Sequence, residues 1–124
     1  MNKKKYTIAQ ILPALNTGGV ERGVVEISKA LVENNFRSIV ISSGGHMVSQ
    51  ITRNGGIHYE LGVATKNPLK WPKIRSELKG ILESENVDLI HFCSRAPAWI
   101  GVPLGSILNI PIITSVHMRF RNSN

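Results

Sequence analysis

A chain of 124 residues has room for one domain of ordinary size, roughly 100–200 residues, which excludes a two-domain enzyme within it. A hydrophobic content of 42% and a charged content of 19% belong to a chain that buries a core, which excludes a disordered tail or a fibrous repeat. Fifteen Lys and Arg against eight Asp and Glu leave a formal charge of +7, so the expected company is anionic: nucleic acid, a phosphate-bearing small molecule or an acidic membrane surface.

The one cysteine, Cys93, makes no internal disulfide and has no second thiolate to share a metal with, in keeping with a reducing cytoplasm. Lys3, Lys4 and Lys5 precede an apolar stretch that Gln10 and Pro13 interrupt, too short and too polar for a secretory signal or a membrane span. No run of 18 apolar residues occurs elsewhere, so any membrane contact is expected to be peripheral.

Residues 6–12 (YTIAQIL) are short and apolar and stop at Pro13, which predicts a buried strand. After the turn NTGG, Val20, Val24, Ile27 and Leu31 recur at helical spacing and predict an amphipathic helix over 19–34, ended by Asn34 and Asn35. A second strand over 38–42 leads through SGGH to a short helix over 47–53, stopped by Asn54, Gly55 and Gly56. A third strand covers 57–61. The next helix spans 69–85, with its regular part starting at Pro72. A fourth strand over 87–92, an apolar helix over 96–108 with Pro103 as a potential kink, and a fifth strand over 110–116 complete the chain.

Strands that read as continuous apolar runs, alternating with helices, predict an α/β fold: a Rossmann-like parallel sheet with helices on both faces, one domain over 1–124. Ligands of such sheets lie beyond the C-terminal strand ends, which singles out residues 13–19, 43–46, 61–67, 93–95 and 117 onward.

Thr17, Gly18, Gly19 and Val20 join the first strand to the first helix, where backbone N–H groups and the helix dipole can meet a phosphate; two glycines making a tight turn explain the spelling equally well. The pattern is neither GxGxxG nor a P-loop, and no acidic residue follows the second strand to hold a ribose. Ser94 and Arg95 follow the fourth strand and can bind oxygen atoms, although a Ser cap, Pro97 in the first turn and a packed Trp99 also account for them. His117 sits just beyond the end of the fifth strand, where it can hydrogen-bond a ligand, although a lone histidine is more often structural than catalytic. His91 is expected to be buried in the fourth strand, His46 and His58 are too scattered for a metal site, and Cys93 is a packing residue. Lys66, Lys70, Trp71, Lys73, Arg75 and Lys79 make the densest basic stretch. It reads either as a solvated helix face or as a surface for anionic lipid or a phosphorylated acceptor, with Lys66, Lys70 and Lys73 on one face if the helix starts early. Nucleic acid is not expected, since neither an RNA-binding aromatic motif nor a recognition-helix pattern occurs.

Taken in order, ILPALNTGGVERGVVEISKAL, DLIHFCSRAPAW and PIITSVH resemble the N-terminal half of bacterial retaining glycosyltransferases of family 4, GT-B enzymes of lipopolysaccharide-type and other envelope glycan synthesis. The resemblance covers nearly the whole chain. It implies two Rossmann-like domains facing across a cleft, the N-terminal one binding a glycan or glycolipid acceptor and the C-terminal one the nucleotide sugar. It places Gly18 and Gly19 near the donor diphosphate, His117 near the transferred sugar, and Ser94 and Arg95 at the cleft edge without assigned roles. It implies no cofactor and no bound metal. Met118 stands where the family often has glycine. No counterpart of the C-terminal donor domain follows Asn124, so the chain alone is expected to be inactive. Three readings stay open: a fragment of a split or decaying gene, one half completed by a separately encoded partner, or a noncatalytic module that binds an anionic glycolipid or a partner protein.

Overall fold

The computed structural model describes residues 5–16, 18–63, 65–93 and 95–115, with backbone alone for 95–99. The elements are β1 (Thr7–Ile11), α1 (Gly19–Glu33), β2 (Arg37–Ser42), α2 (Val48–Arg53), β3 (Ile57–Glu60), a 3-10 turn (Pro68–Lys70), α3 (Trp71–Ser84), β4 (Leu89–Phe92), α4 (Arg95–Leu108) and β5 (Ile112–Thr114). All five strands are parallel, in the order β3-β2-β1-β4-β5. This is the predicted Rossmann-like architecture, and the strand order reverses between β1 and β4.

Residues of alternate parity on β1, β2 and β4 serve two cores. Ala9, Ile11, Ile39, Ile41, Ile90 and Phe92 pack with Leu78, Leu82 and Leu104 of α3 and α4. Leu12, Val40 and Cys93 pack with Val24 and Val25 of α1 and Ile51 of α2. Two-sided burial is why the central strands carry no alternating pattern. The outer strands differ: Ile57 and Ile113 are exposed, because β3 and β5 are edges.

Each of these four α-helices ends in one way. Asn35, Gly55, Asn86 and Asn109 adopt positive φ, and the following residue returns an N–H to a carbonyl five residues back: Phe36 to Leu31 (2.8 Å), Gly56 to Ile51 (2.9 Å), Val87 to Leu82 (3.1 Å) and Ile110 to Gly105 (2.8 Å). These are Schellman closures. They satisfy the last carbonyls and turn the chain into the next strand, with apolar Phe36, Val87 and Ile110 leading three of those returns.

Three expectations need correction. The buried stripe of α1 is Val24, Val25 and Ser28, while Ile27 is exposed, because Ser28 bonds Ser38 of β2 (Oγ to Oγ 2.6 Å) and so turns α1 toward β2. The 3-10 turn precedes α3, so Lys66 lies in a loop rather than on a helical face with Lys70 and Lys73. His91 is only half-buried, because its ring reaches along the sheet toward Ser115 beyond β5, with Nε2 2.9 Å from Ser115 Oγ. The helix runs through Pro103 without interruption.

At the N-terminal strand edge Arg37 joins three elements. Its guanidinium donates to Thr7 Oγ1 (3.0 Å), to the Glu85 carbonyl (3.1 Å) and to Glu85 Oε1 (2.5 Å), and the Tyr59 hydroxyl donates to Glu85 Oε2.

Candidate functional site

The C-terminal rim of the sheet gathers the predicted ligand segments. The β1–α1 loop is laced to the β2–α2 loop by backbone bonds: Ser43 N–H to Pro13 O (2.8 Å), Leu15 N–H to Gly44 O (2.8 Å) and Met47 N–H to Leu15 O (2.9 Å). The approach is so close that a side chain on Gly45, whose φ is +145°, would press on the Leu15 carbonyl.

Below this lacing lies a polar relay that sequence reasoning missed. Gly44 N–H donates to Ser42 Oγ (3.0 Å), and the Ser42 hydroxyl stands 2.7 Å from His58 Nε2. The hydroxyl accepts from Gly44, so its proton is available to a neutral imidazole that carries its own proton on Nδ1. Burial holds the His58 pKa below its ordinary value, against a smaller upward pull from Glu60, which favours that neutral ring. The signal was present only as a serine at the end of one strand and a histidine inside the next.

The laced loop delivers the chain to α1. Gly18 is its N-cap and no side-chain hydrogen bond caps the helix. The two glycines are not equivalent. Gly18 has extended backbone that any residue adopts, but a side chain there would meet the Glu21 carboxylate, which lies over the turn. A side chain on Gly19 would meet nothing within 4 Å among the described residues. Among the described residues the space at Gly19 is therefore open, whereas a negative charge stands over Gly18. Both lie beside the reversal of strand order, the usual ligand crevice of such sheets.

Of the other predicted site residues, Thr17, Ser94 and His117 lie outside the described residues, and Arg95 opens α4 with only its backbone described. Cys93 is buried and its thiol is pushed up to about 12, as expected of a packing residue. Lys66 in the loop before the 3-10 turn, Lys70 at the end of that turn and Lys73 at the start of α3 are all exposed. Trp71 is half-buried and its indole N–H donates to Thr65 O (2.9 Å); Arg75 donates to Ile100 O (2.6 Å) and ties α3 to α4. Two members of the basic stretch thus serve the fold. Among the described residues no group of three His, Cys, Asp or Glu could hold a metal, and no helix is long and apolar enough to cross a membrane. Hollows lined by Leu82, Asn86 and Asn109, by Lys5, Arg37 and Asp88, and by Val102, Gly105 and Ile112 open at the opposite end of the strands or along the β5 flank, away from this rim.

The sequence profile of Glycosyltransferase Family 4 matches residues 17–124. A search of curated proteins finds no match. Among solved structures, a glycosyltransferase from Rickettsia africae ESF-5 superposes with a TM-score of 0.84 at 35% identity, over 98% of this chain and 32% of that one. MurG from Acinetobacter baumannii gives 0.68 at 16% identity, over 88% and 34%. The C-terminal domain of a hydrogenase from Pyrococcus furiosus gives 0.65 at 16%, over 94% and 96%. The last two likenesses speak for the fold alone. The chain spans about a third of the length of the Rickettsia and Acinetobacter proteins. A profile that begins at the glycine turn and runs to the last residue, with a glycosyltransferase that shares 35% of positions over 98% of the chain, establishes that this protein belongs to glycosyltransferase family 4.

Proposed function

We propose that this domain is one wall of the cleft of a retaining GT-B glycosyltransferase, which moves a sugar from a nucleotide-sugar donor to an envelope glycan or glycolipid at the cytoplasmic face of the membrane. The observation that carries the reading is the start of α1, which has no side-chain cap and stands at the strand-order reversal beside a glycine whose missing side chain nothing nearby requires.

In this reading the backbone N–H groups at Gly18 and Gly19, with the positive end of the helix dipole, receive the donor diphosphate. The open space at Gly19 lets a phosphate reach the backbone. Glu21 over Gly18 steers it to that side, since a second negative charge there would be repelled. His117 hydrogen-bonds the transferred sugar, Ser94 and Arg95 line the cleft edge, and Lys66, Lys70, Trp71 and Lys73 attract the acceptor's anionic carrier. The helix end and basic side chains offset the leaving group's charge, so no metal is called for. Transfer needs donor and acceptor held in line and the developing charge met from both sides. A second, nucleotide-sugar-binding domain is therefore required, continuous with this one or separately encoded, and the domain by itself does not turn over.

The test is transfer from a panel of nucleotide sugars, with the purified chain alone and with the donor domain supplied. Activity should need both. Gly19→Val should weaken donor binding at least ten-fold in a folded protein, and His117→Ala should chiefly lower turnover. Turnover by the chain alone, or full activity in both variants, refutes the assignment. Glycolipid binding without transfer in any pairing would identify a noncatalytic binding module instead.

A further inference from the structure

His58 is a titratable group that the transfer proposed above does not use, and its surroundings offer the ring two partners. It pairs with Val40 of β2 and shares that residue's face of the sheet, the one that α2 covers. In the neutral form the ring accepts the Ser42 proton at Nε2 (2.7 Å) while Ser42 Oγ accepts the Gly44 N–H (3.0 Å), a chain in which each bond polarises the next. Ser42 is fully buried and His58 half-buried, so it is the ring that has room to leave. The second partner is Glu60, two positions along the same strand and so on the same face. Its exposed carboxylate also reaches the loop, since a side chain on Gly44 would stand 3.3 Å from Glu60 Oε1.

A proton on Nε2 breaks this chain. The charged ring has no lone pair for the Ser42 hydroxyl, and if it donates to Oγ instead, the hydroxyl proton must turn away inside a buried place and the oxygen becomes a poorer acceptor for Gly44. Glu60 offers the charge an exposed partner. The other charged or titratable groups on the elements around the ring are Arg37 at the far end of β2, Arg53 in the last turn of α2, His46 in the loop between them and the charges of α1; among the described residues only Glu60 adds to the effect of burial on the ring. A change at the ring reaches the rim through Gly44. Its carbonyl accepts the Leu15 N–H (2.8 Å), the Leu15 carbonyl accepts the Met47 N–H (2.9 Å), and Leu15 lies three residues before the Gly18 cap.

We propose that His58 is a positioning residue for the glycine turn: its neutral ring, acting through Ser42 and Gly44, holds the laced loops in the form that receives an anion, and protonation moves the ring to Glu60 and loosens them. The site is thereby tied to pH by a group that touches no ligand, a charge change at one ring biasing an element with two arrangements. The hold on the loops is a property of the chain by itself; its bearing on an anion rests on the function proposed above.

The test uses the native chain. Titration of the imidazole by NMR locates the ring's midpoint, and amide exchange, corrected for its intrinsic pH dependence, is compared one pH unit above and one below it. Protection at Leu15, Ser43, Gly44 and Met47 should fall about five-fold on the acid side, the scale of one weakened hydrogen bond, while the Ile41 amide inside β2 keeps its own. His58→Gln, whose side-chain carbonyl accepts the Ser42 proton and does not titrate, should keep the loops protected on both sides; Ser42→Ala should leave them equally loose on both. Inorganic pyrophosphate serves as the anion. At saturation it should lower the ring's midpoint, because it favours the neutral, holding form, whereas its charge alone would raise it. Equal protection on both sides of the midpoint in the native chain, or an equal fall in His58→Gln, overturns the proposal, as does a midpoint that bound pyrophosphate raises or leaves in place. Failure of pyrophosphate to bind at any pH refutes the donor site proposed above instead, and amide exchange then decides the role of His58 by itself.

Discussion

Gly101 and Gly80 both lie inside helices, and alanine at the two positions should act with opposite sign. In a helix interior alanine is intrinsically better than glycine by about 0.8–1.0 kcal/mol. At Gly80, in α3, a new methyl meets nothing within 4 Å among the described residues, so that gain should be realised. At Gly101, in α4, the methyl would stand 2.5 and 2.6 Å from ring carbons of Phe92 and 3.1 Å from Leu78. Ordinary contact is about 3.5–4.0 Å, so something must move by about 1 Å. Phe92 and Leu78 are fully buried, so neither can yield by swinging out into solvent. Overpacking of this kind costs about 1–3 kcal/mol and outweighs the propensity gain. The expected outcome is a Gly80→Ala chain more stable by about 0.5–1 kcal/mol and a Gly101→Ala chain less stable by about 1 kcal/mol. The difference corresponds to roughly 5–10 °C between their midpoints for a domain of this size. Urea unfolding followed by circular dichroism, with the slope checked for constancy, gives the comparison. If both variants are stabilised alike, α4 does not sit as close to β4 as described.

Three further outcomes are expected. The Tyr59 hydroxyl and the Arg37 guanidinium hold the Glu85 carboxyl below its ordinary value, so the stabilisation is present above about pH 4.5 and lost as pH falls through the native value; Glu85→Gln should cost about 1 kcal/mol at pH 7 by denaturation, given partial exposure, and progressively less as pH falls through the native value. His58, lowered by burial, should titrate by NMR below 6.5, with stability falling as pH drops through that range; the Gly44 amide signal should follow the titration in the native chain and cease to do so in Ser42→Ala. Cys93, whose thiol ionises only at about 12, should resist iodoacetamide at pH 8 until the chain is unfolded, and alkylation of the native chain would contradict its burial.

Much of the architecture was legible because it is written locally. Apolar runs mark β1 and β2, and Asn35 and Gly55, where the left-handed residues of two closures fall, mark the ends of α1 and α2; Asn86 and Asn109, which do the same for α3 and α4, did not stand out in the sequence. The rim segments followed from the parallel sheet. What escaped depends on contacts between distant residues. Arg37 and Glu85 are 48 positions apart, and Ser42 meets His58 only through the register of β2 on β3. The offset of the α1 stripe needed the Ser28 and Ser38 hydroxyls to meet across the helix and sheet. Trp71 and Arg75 looked like members of a charged surface, yet each donates its N–H inward to a carbonyl, which composition cannot show. Strand order was equally out of reach: nothing in β4 announces that it pairs with β1 rather than β3.

The lacing of the β1–α1 loop to the β2–α2 loop bears on the thermodynamics of recognition. Its three bonds join backbone to backbone, so neither loop can open without releasing donors and acceptors of the other. Amide exchange at Leu15, Ser43 and Met47 should therefore proceed as one event. The conformational entropy of the laced residues, 13–15 and 43–47, is lost when the chain folds, before any ligand arrives. Under the function proposed above, a diphosphate arriving at this rim would displace solvent from loops already fixed by the lacing and order little of them, which keeps the entropic penalty of association low.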